Sequence, residues 1–515
     1  MPVVSLTSTL DILVIVSSFA AFLAIRDYQR RRGLPYPPGP RPLPLIGNLF
    51  DIPKTFSWLS YLQFSKKHGD VLSFHVFGKV IVVLNSLKAN KDLLERRGDI
   101  YCNRPVFPIF EMMKFQWNVA MSNYTESLRL SRKLLDRGFR PAAMAAYRPL
   151  LETKAHALLS QMLANPDDFE AHLNHLTGSL ILSMAYGYEV RDPNDRKVDA
   201  SKNLLQLVSK IGAPGSLLVN ELPFLRYIPE WLSWLSYKPL ARYGYDLGQE
   251  VLHGPMEFVR GTILNGTAQP SIALENLQET DQLDEPEREK AEEVITRALG
   301  SVYSAGTDTT ASSIMSFIVA ILLRPEIQTI AQKELDAVIG RERLPNFEDR
   351  PRLPFVDAIC KEVSRWRPVT PLGFPHASTE DDVYKGFFIP KGAFVISNIW
   401  AILHDPVMYP EPDVFKPERF INPNGTLRED PVLASSFGFG RRICPGRHLA
   451  DATMFIAISS LLSVFNIKKG NSVNGRPDMY PYTGHGVNAP CPFTCSITPR
   501  DRRAQELITA NAPEQ

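Results

Sequence analysis

Residues 292–323 form a stretch of about 32 residues without proline, roughly 48 Å of helix at 1.5 Å per residue, long enough to cross a whole domain. A chain with such a rod must build its core around it. The middle of the stretch reads Ala305-Gly306-Thr307-Asp308-Thr309-Thr310, which sets a glycine, a carboxylate and hydroxyls into a run that is otherwise mostly apolar. A mid-helix glycine costs about 1 kcal/mol against alanine, so the missing side chain has to serve something, and space beside a bound group is one such use. Asp308 and Thr309 are of the types that pass protons to a bound oxygen species through hydrogen-bonded water. The competing reading is a helix whose threonines bond back to carbonyls one turn earlier.

Helical spacing also marks 128–139, 149–163, 173–187, 203–211, 243–264, 325–339, 354–366 and 447–465. Strand pairs are expected at 71–84, turning at Gly78-Lys79, and at 383–398, with a type I turn at Ile389-Pro390-Lys391-Gly392. The class is mainly α with small β-sheets. No internal repeat or low-complexity linker interrupts 41–499, which reads as one large domain. The acid-rich segment 278–293 reads as a solvated loop leading into the long helix, whose dipole favours negative charge at its first turn. Hydrophobic residues at 44% against 22% charged exclude a disordered chain. With 57 Lys+Arg against 55 Asp+Glu the net charge is +2, which gives no general field for nucleic acid.

The ends differ from the body. From Ile12 to Ile25 only Ser17 and Ser18 are polar, and extending back to Val3 gives about 23 residues, roughly 34 Å, enough to span a bilayer with Asp11 drawn toward water. Arg26, Arg30, Arg31 and Arg32 follow, while Met1–Leu10 has no basic residue; this order is opposite to that of a cleavable signal peptide and predicts an uncleaved anchor at 3–25 with a cytosolic body. Residues 26–40, with Pro35-Tyr36-Pro37-Pro38-Gly39-Pro40, read as a basic, stiff hinge, and 500–515 as a flexible tail. The cysteines (Cys102, Cys360, Cys444, Cys491, Cys495) are odd in number and scattered, as in a reducing compartment.

One cysteine stands in a distinctive setting: Phe437-Gly438-Phe439-Gly440-Arg441-Arg442-Ile443-Cys444-Pro445-Gly446. Glycines ahead of the cysteine allow a tight backbone, and the helix beginning here favours a thiolate, the species that ligates metal. An iron in a porphyrin needs only this single protein ligand, and Arg442 is placed for an anionic edge such as a propionate. Upstream, Glu362 and Arg365 share a helix face at i,i+3. The same spacing recurs at Glu126/Arg129, Glu257/Arg260 and Glu285/Arg288, so spacing does not choose among them, but only Glu362/Arg365 lies between the long helix and the cysteine loop.

The pattern Phe-x-x-Gly-x-Arg-x-Cys-x-Gly, with the preceding elements in this order, resembles the cytochrome P450 family of haem-thiolate monooxygenases, microsomal type. The stretch 437–450 together with Pro371-Leu372-Gly373-Phe374-Pro375-His376 is similar to fungal members of specialised metabolism. The resemblance implies the cytochrome P450 fold with an N-terminal transmembrane anchor. It implies haem b with Cys444 as axial iron ligand and Arg132, His376, Phe437, Arg442 and Gly446 around the cofactor. Proton delivery to the co-substrate dioxygen falls to Asp308 and Thr309. Glu362, Arg365 and Arg419, the last within Pro417-Glu418-Arg419-Phe420, form a structural network.

Electrons would come from NADPH through a separate NADPH-cytochrome P450 reductase, with cytochrome b5 as a second candidate donor, since no Gly-x-Gly-x-x-Gly is present. A basic docking face would draw on Arg129, Arg132, Lys133, Arg137, Arg441 and Arg447. The implied location is the endoplasmic reticulum membrane, single-pass, with the catalytic domain in the cytosol. The implied substrate is an apolar small molecule, a terpenoid first and a polyketide or aromatic alkaloid next, held by 106–117, 299–305, 369–374 and 483–487. The chain departs from the family at Leu128, where Trp-Arg-x-x-Arg is usual, and at Tyr124-Thr125-Glu126, where Tyr-Gly-Asp is usual. Two rival readings are a haem-thiolate isomerase or dehydratase working without dioxygen, against which Asp308-Thr309 argues, and a non-enzymatic membrane haem protein.

Overall fold

A computed structural model describes Ser18 and residues 25–513, except 192–194, 213–214, 233–235 and 471–479. The expected anchor at 3–25 lies outside the described residues but for Ser18 and Ile25.

The main helices are α1 (Ser57–His68), α2 (Glu126–Phe139), α3 (Pro141–Ala164), α4 (Phe169–Tyr186), α5 (Arg196–Ile211), α6 (Lys238–Leu264), α7 (Ile272–Thr280), α8 (Glu285–Leu323), α9 (Pro325–Val338), α10 (Pro354–Trp366), α11 (Arg447–Val464) and α12 (Arg502–Ala510). The strands are β1 (Val71–Val76), β2 (Lys79–Leu84), β3 (His376–Ala377), β4 (Asp382–Tyr384), β5 (Phe387–Ile389), β6 (Phe394–Ser397), β7 (Phe465–Lys469) and β8 (Cys495–Pro499). The expected class, mainly helical with small sheets, is what is found.

The rod α8 is longer than its spacing suggested, at 39 residues. Pro286 stands in its first turn, where a missing N–H leaves no bond unmade, with Glu285 and Glu287 beside it at the positive end of the dipole. Of the expected acidic loop only residues 281–284 are not helix, the rest ending α7 or opening α8. From Ile295 onward α8 is buried on nearly every side, packed against α2, α4, α5, α6, α10 and α11. It is also the one helix among the described residues long and apolar enough to cross a membrane, and 78% of its apolar window is buried inside the protein, as befits a core helix.

The first hairpin turns at Phe77-Gly78, where both residues have positive φ (47° and 79°), the demand of a two-residue type I′ turn. The second expected pair is corrected. β4 and β5 turn at Lys385-Gly386, again with positive φ at both, and the chain beyond Pro390 leaves that hairpin. There β6 joins the first sheet, parallel to β2 and antiparallel to β3, in the order β1-β2-β6-β3. Its run Phe-Val-Ile-Ser is buried throughout, as suits a strand covered on both faces.

Two terminal expectations also change. The proline-rich segment does not stand free: the carbonyl of Pro38 accepts from Ser73 N–H (2.9 Å), that of Pro35 from Phe388 N–H (2.8 Å), and Arg30 pairs with Asp381 at 2.6 Å. The residues expected as a flexible tail contain α12, capped by the Asp501 side chain on Ala504 N–H (2.9 Å) and anchored by buried Ala504 and Ile508 at i,i+4. Two apolar residues among charges are too few for a visible periodicity, and the cap decides.

Candidate active site

A cavity of about 280 Å³ opens between α8, α2, the cysteine loop and the chain after α10. Ala305, Gly306, Thr309 and Thr310 face it from α8; Phe437, Arg442, Cys444 and Gly446 line it from the loop; Arg132, Val369, Phe374 and His376 complete much of the wall.

The loop is held by its backbone. Gly438 and Gly440 both have positive φ (84° and 53°), and any side chain at 440 would run into the carbonyl of Leu94. Cys444 N–H donates to Phe437 O at 2.9 Å, Arg132 donates to Ile443 O at 2.7 Å, and Arg447 donates to Cys444 O at 3.0 Å. Burial pushes the Cys444 thiol up, against the lowering effects of Gly446 N–H, Arg132 and Arg447. The helix start alone thus does not make the thiolate expected from sequence; a coordinated metal deprotonates such a thiol outright.

Glu362 and Arg365 form a fully buried two-pronged pair, Nε–Oε2 2.7 Å and Nη2–Oε1 2.9 Å. Arg419 Nε adds a third bond to Glu362 Oε1 (3.1 Å) and Lys416 N–H a fourth (2.8 Å), while Arg365 also donates to Leu403 O at 3.0 Å. The network predicted for these residues is assembled. Of the other Glu-x-x-Arg spacings, Arg260 and Arg288 pair instead with Glu292.

Arg442 meets three backbone carbonyls, of Cys102 (2.7 Å), Val119 (3.1 Å) and Ser122 (2.6 Å). It therefore ties the cysteine loop to the 102–122 segment as well as facing the cavity. His376 is buried with Nδ1 2.7 Å from Tyr101 O, so Nδ1 carries the proton and a second proton on Nε2 is needed to meet an anion. Burial, with Arg104 and Arg442 near, holds its pKa well below the ordinary value.

Arg104 was missed by sequence reasoning. Its guanidinium donates to Ala120 O (2.7 Å), Phe374 O (2.8 Å) and Pro375 O (2.9 Å) and lines the same cavity. An Arg-Pro pair outside any periodic segment carries no signal by itself; only the fold brings it beside Arg442. Burial first, then Arg442 and Arg132, push Arg104 well down, and burial first lowers Arg442 to about 10. These are the marks of buried cations lacking a counter-charge.

On α8, Thr309 Oγ1 bonds back to Ala305 O at 2.9 Å, so the structural reading of that threonine holds together with its place on the cavity wall. Asp308 is buried but does not line the cavity; its nearest charges are Lys202 on α5 and Glu170 on α4, and burial raises its pKa. A Cβ on Gly306 would lie 2.8 Å from the Ile181 side chain, so close packing on α4 uses the missing side chain as much as the cavity does. None of 106–117 lines the cavity; Val106 is exposed, and most of the other apolar residues are core, Phe107 packing on Phe394 and Phe115 on Trp117. Leu128, the departure from the tryptophan motif, is buried in the main core.

Among the described residues no carboxylate lines the cavity, whereas Arg104, Arg132, Arg367 and Arg442 do. A planar apolar group bearing two carboxylates and offering iron to one thiol fits that wall, and the residues present suit haem.

The sequence profile of the cytochrome P450 family matches residues 37–483. Similar proteins are cytochrome P450 monooxygenase 208 of Postia placenta, 41% identical over 95% of each chain, and cytochrome P450 monooxygenase COX1 of Coprinopsis cinerea, 37% identical over 98% of this chain and all of that one. Tryptamine 4-monooxygenase of Psilocybe cyanescens is 35% identical over 96% of this chain and 99% of its own. The chain belongs to the cytochrome P450 family of haem-thiolate monooxygenases.

Proposed function

We propose that the protein inserts one atom of dioxygen into an apolar small molecule of fungal secondary metabolism, with a terpenoid as the first candidate and a polyketide next. The observation that carries the reading is the acid-free cavity with Cys444 on one wall and Thr309 on another, bounded by Ile181, Leu205, Val302 and Val487. One relative's name says that it acts on tryptamine; a cavity with no carboxylate among its described lining residues argues against a cationic amine here.

Cys444 would hold the haem iron through its sulfur, Phe437 and Gly446 would border the group, and Arg104, Arg132, Arg442 and doubly protonated His376 would meet its carboxylates. Bound there, haem supplies the iron at which dioxygen is activated. The chain supplies protons: Thr309 Oγ1 exchanges its bond to Ala305 O for one to water in the cavity, and Asp308, whose pKa burial raises, passes protons inward from the Lys202 and Glu170 side. Glu362, Arg365 and Arg419 hold the scaffold and touch no substrate.

Electrons come from NADPH through a separate reductase. Its docking face uses exposed Arg129, Lys133, Arg137 and Arg441 with half-buried Arg447; Arg132 is turned into the cavity and is not part of it. The domain sits on the endoplasmic reticulum membrane from the cytosolic side. Support comes from exposed Leu43, Leu45 and Phe50 and from Phe224, Tyr227 and Trp231, large apolar groups of the kind that enter a lipid interface. Turnover with reductase, NADPH and candidate substrates tests the reading: product should require dioxygen, and Thr309→Ala and Asp308→Asn should each lower it about a hundredfold with haem retained. Full activity without dioxygen would move the assignment to an isomerase or dehydratase.

A further inference from the structure

Nine serines and threonines stand along α8, and eight of them, Thr309 included, donate their hydroxyl to a backbone carbonyl three or four residues earlier. That is the usual fate of a hydroxyl inside a helix, where bulk water is out of reach. Thr310 is the exception: it has no hydrogen bond among the described residues, although threonine has a helical rotamer that reaches the carbonyl one turn back, here that of Gly306. At 9% exposure the side chain is kept from bulk water as well. A buried hydroxyl left without a partner costs stability, and such a group persists where it meets something that the fold alone does not supply.

The surroundings of Thr310 narrow what that is. It lines the cavity, as do Thr309 beside it and Gly306 four residues earlier on the same face of α8. Ile181 of α4 lies against Gly306, so this face looks onto an apolar wall. The hydroxyl is not sealed within the core: the unpartnered Ser460 Oγ of α11 is closed off there, whereas Thr310 Oγ1 keeps accessible surface. Thr309 differs in having a bond to give up, to Ala305 O at 2.9 Å. A molecule that both donates and accepts, and is small enough to stand between neighbouring hydroxyls, suits the free Thr310 Oγ1, and water is such a molecule.

We propose that Thr310 Oγ1 holds a water molecule in the cavity next to Thr309, and that hydroxyl and water together carry protons toward the reacting centre. The hydroxyl gives its proton to that water as it takes one from a second water, so Thr310 ends as it began and no electrons move. Thr309 completes the line when it exchanges Ala305 O for the same water. Thr310 acts through the water it holds and is a positioning residue. The inference deepens the monooxygenase reading and rests on it.

The test compares Thr310→Val, which keeps the shape and removes the hydroxyl, with Thr310→Ser, which does the reverse. Crystal structures of the haem-loaded proteins should show a water within hydrogen-bond distance of Oγ1 in the wild type and of Oγ in Thr310→Ser, and none at that place in Thr310→Val. With reductase and NADPH, dioxygen consumption should fall at least about tenfold in Thr310→Val and be largely restored in Thr310→Ser, the opposite of what a packing role would give. Without haem, Thr310→Val should unfold at the same or a higher denaturant concentration than the wild type, because it buries no unpaired hydroxyl, whereas Thr309→Val, losing its bond to Ala305 O, should unfold earlier. If Thr310→Val fails to take up haem, Thr310→Ala carries the test. A wild-type Oγ1 bonded to Gly306 O with no water beside it, or equal losses in the valine and serine variants, overturns the proposal. Dioxygen consumption that is unmoved by Thr310→Val refutes the relay alone; a wild-type protein that loads haem yet consumes no dioxygen refutes the reading beneath it.

Discussion

Two arginine clusters lie close in this fold and are built on opposite terms. Around Glu362, two guanidiniums and a backbone N–H share one carboxylate, so each cation there has an anionic partner within hydrogen-bond reach. Around the cavity, Arg104 and Arg442 are also buried, but their guanidiniums are met by carbonyl oxygens, with Arg132 adding to the positive charge. The first cluster is complete as folded and fixes the chain between α10 and the cysteine loop. The second is complete only when an anion arrives. Placing uncompensated charge where a dianionic group must sit makes affinity for that group out of what would otherwise be a defect of the fold.

Removing the carboxylate of the paired cluster should do the most damage. Glu362→Ala leaves Arg365 and Arg419 unpaired in the core and should cost about 3–5 kcal/mol, read by denaturant titration of the haem-free protein. Arg104→Gln should be milder there, at about 1–3 kcal/mol from the carbonyls of Ala120, Phe374 and Pro375, while the loaded protein loses haem to an acceptor much faster. Equal losses from the two substitutions in the haem-free protein would break the distinction between the clusters.

The smallest effect is in pH. Because His376 is held neutral when folded but takes a proton near pH 6.5 when unfolded, the unfolded chain binds more protons below that pH. Its contribution is therefore present above about 6.5 and lost as pH falls, at up to about 1.4 kcal/mol per pH unit. His376→Phe should flatten that slope in the haem-free protein. In the loaded protein a propionate beside Nε2 would let the ring keep its proton, so the slope should already be shallow. A slope unchanged by haem would detach His376 from the anion site.

The sequence was most legible where chemistry and backbone coincide. Cys444 with its glycines, and Glu362 with Arg365 between α8 and the loop, could be placed because their order along the chain is as restrictive as their identity. Helix cores were legible because apolar spacing reports a buried face; their starts were not, since Pro286 and Pro141 can open a helix where proline also reads as a stop. Arg104 was invisible because its role depends on carbonyls 16 and 270 residues away. The destination of β6 was hidden for the same reason, as a short apolar run pairs equally well with a hairpin partner or a distant strand. Asp308 shows the limit of motif reading: its type was right for proton transfer, yet the helix turns it toward Lys202 rather than the cavity.

The central claim is that the cavity holds haem on Cys444. The reduced, carbon-monoxide-bound absorption spectrum tests it most directly, with the full-length protein beside Cys444→Ser. A strongly red-shifted Soret band is expected in the wild-type protein, with its loss in the variant. An imidazole-like band in both, or no haem in the wild-type protein, would contradict it.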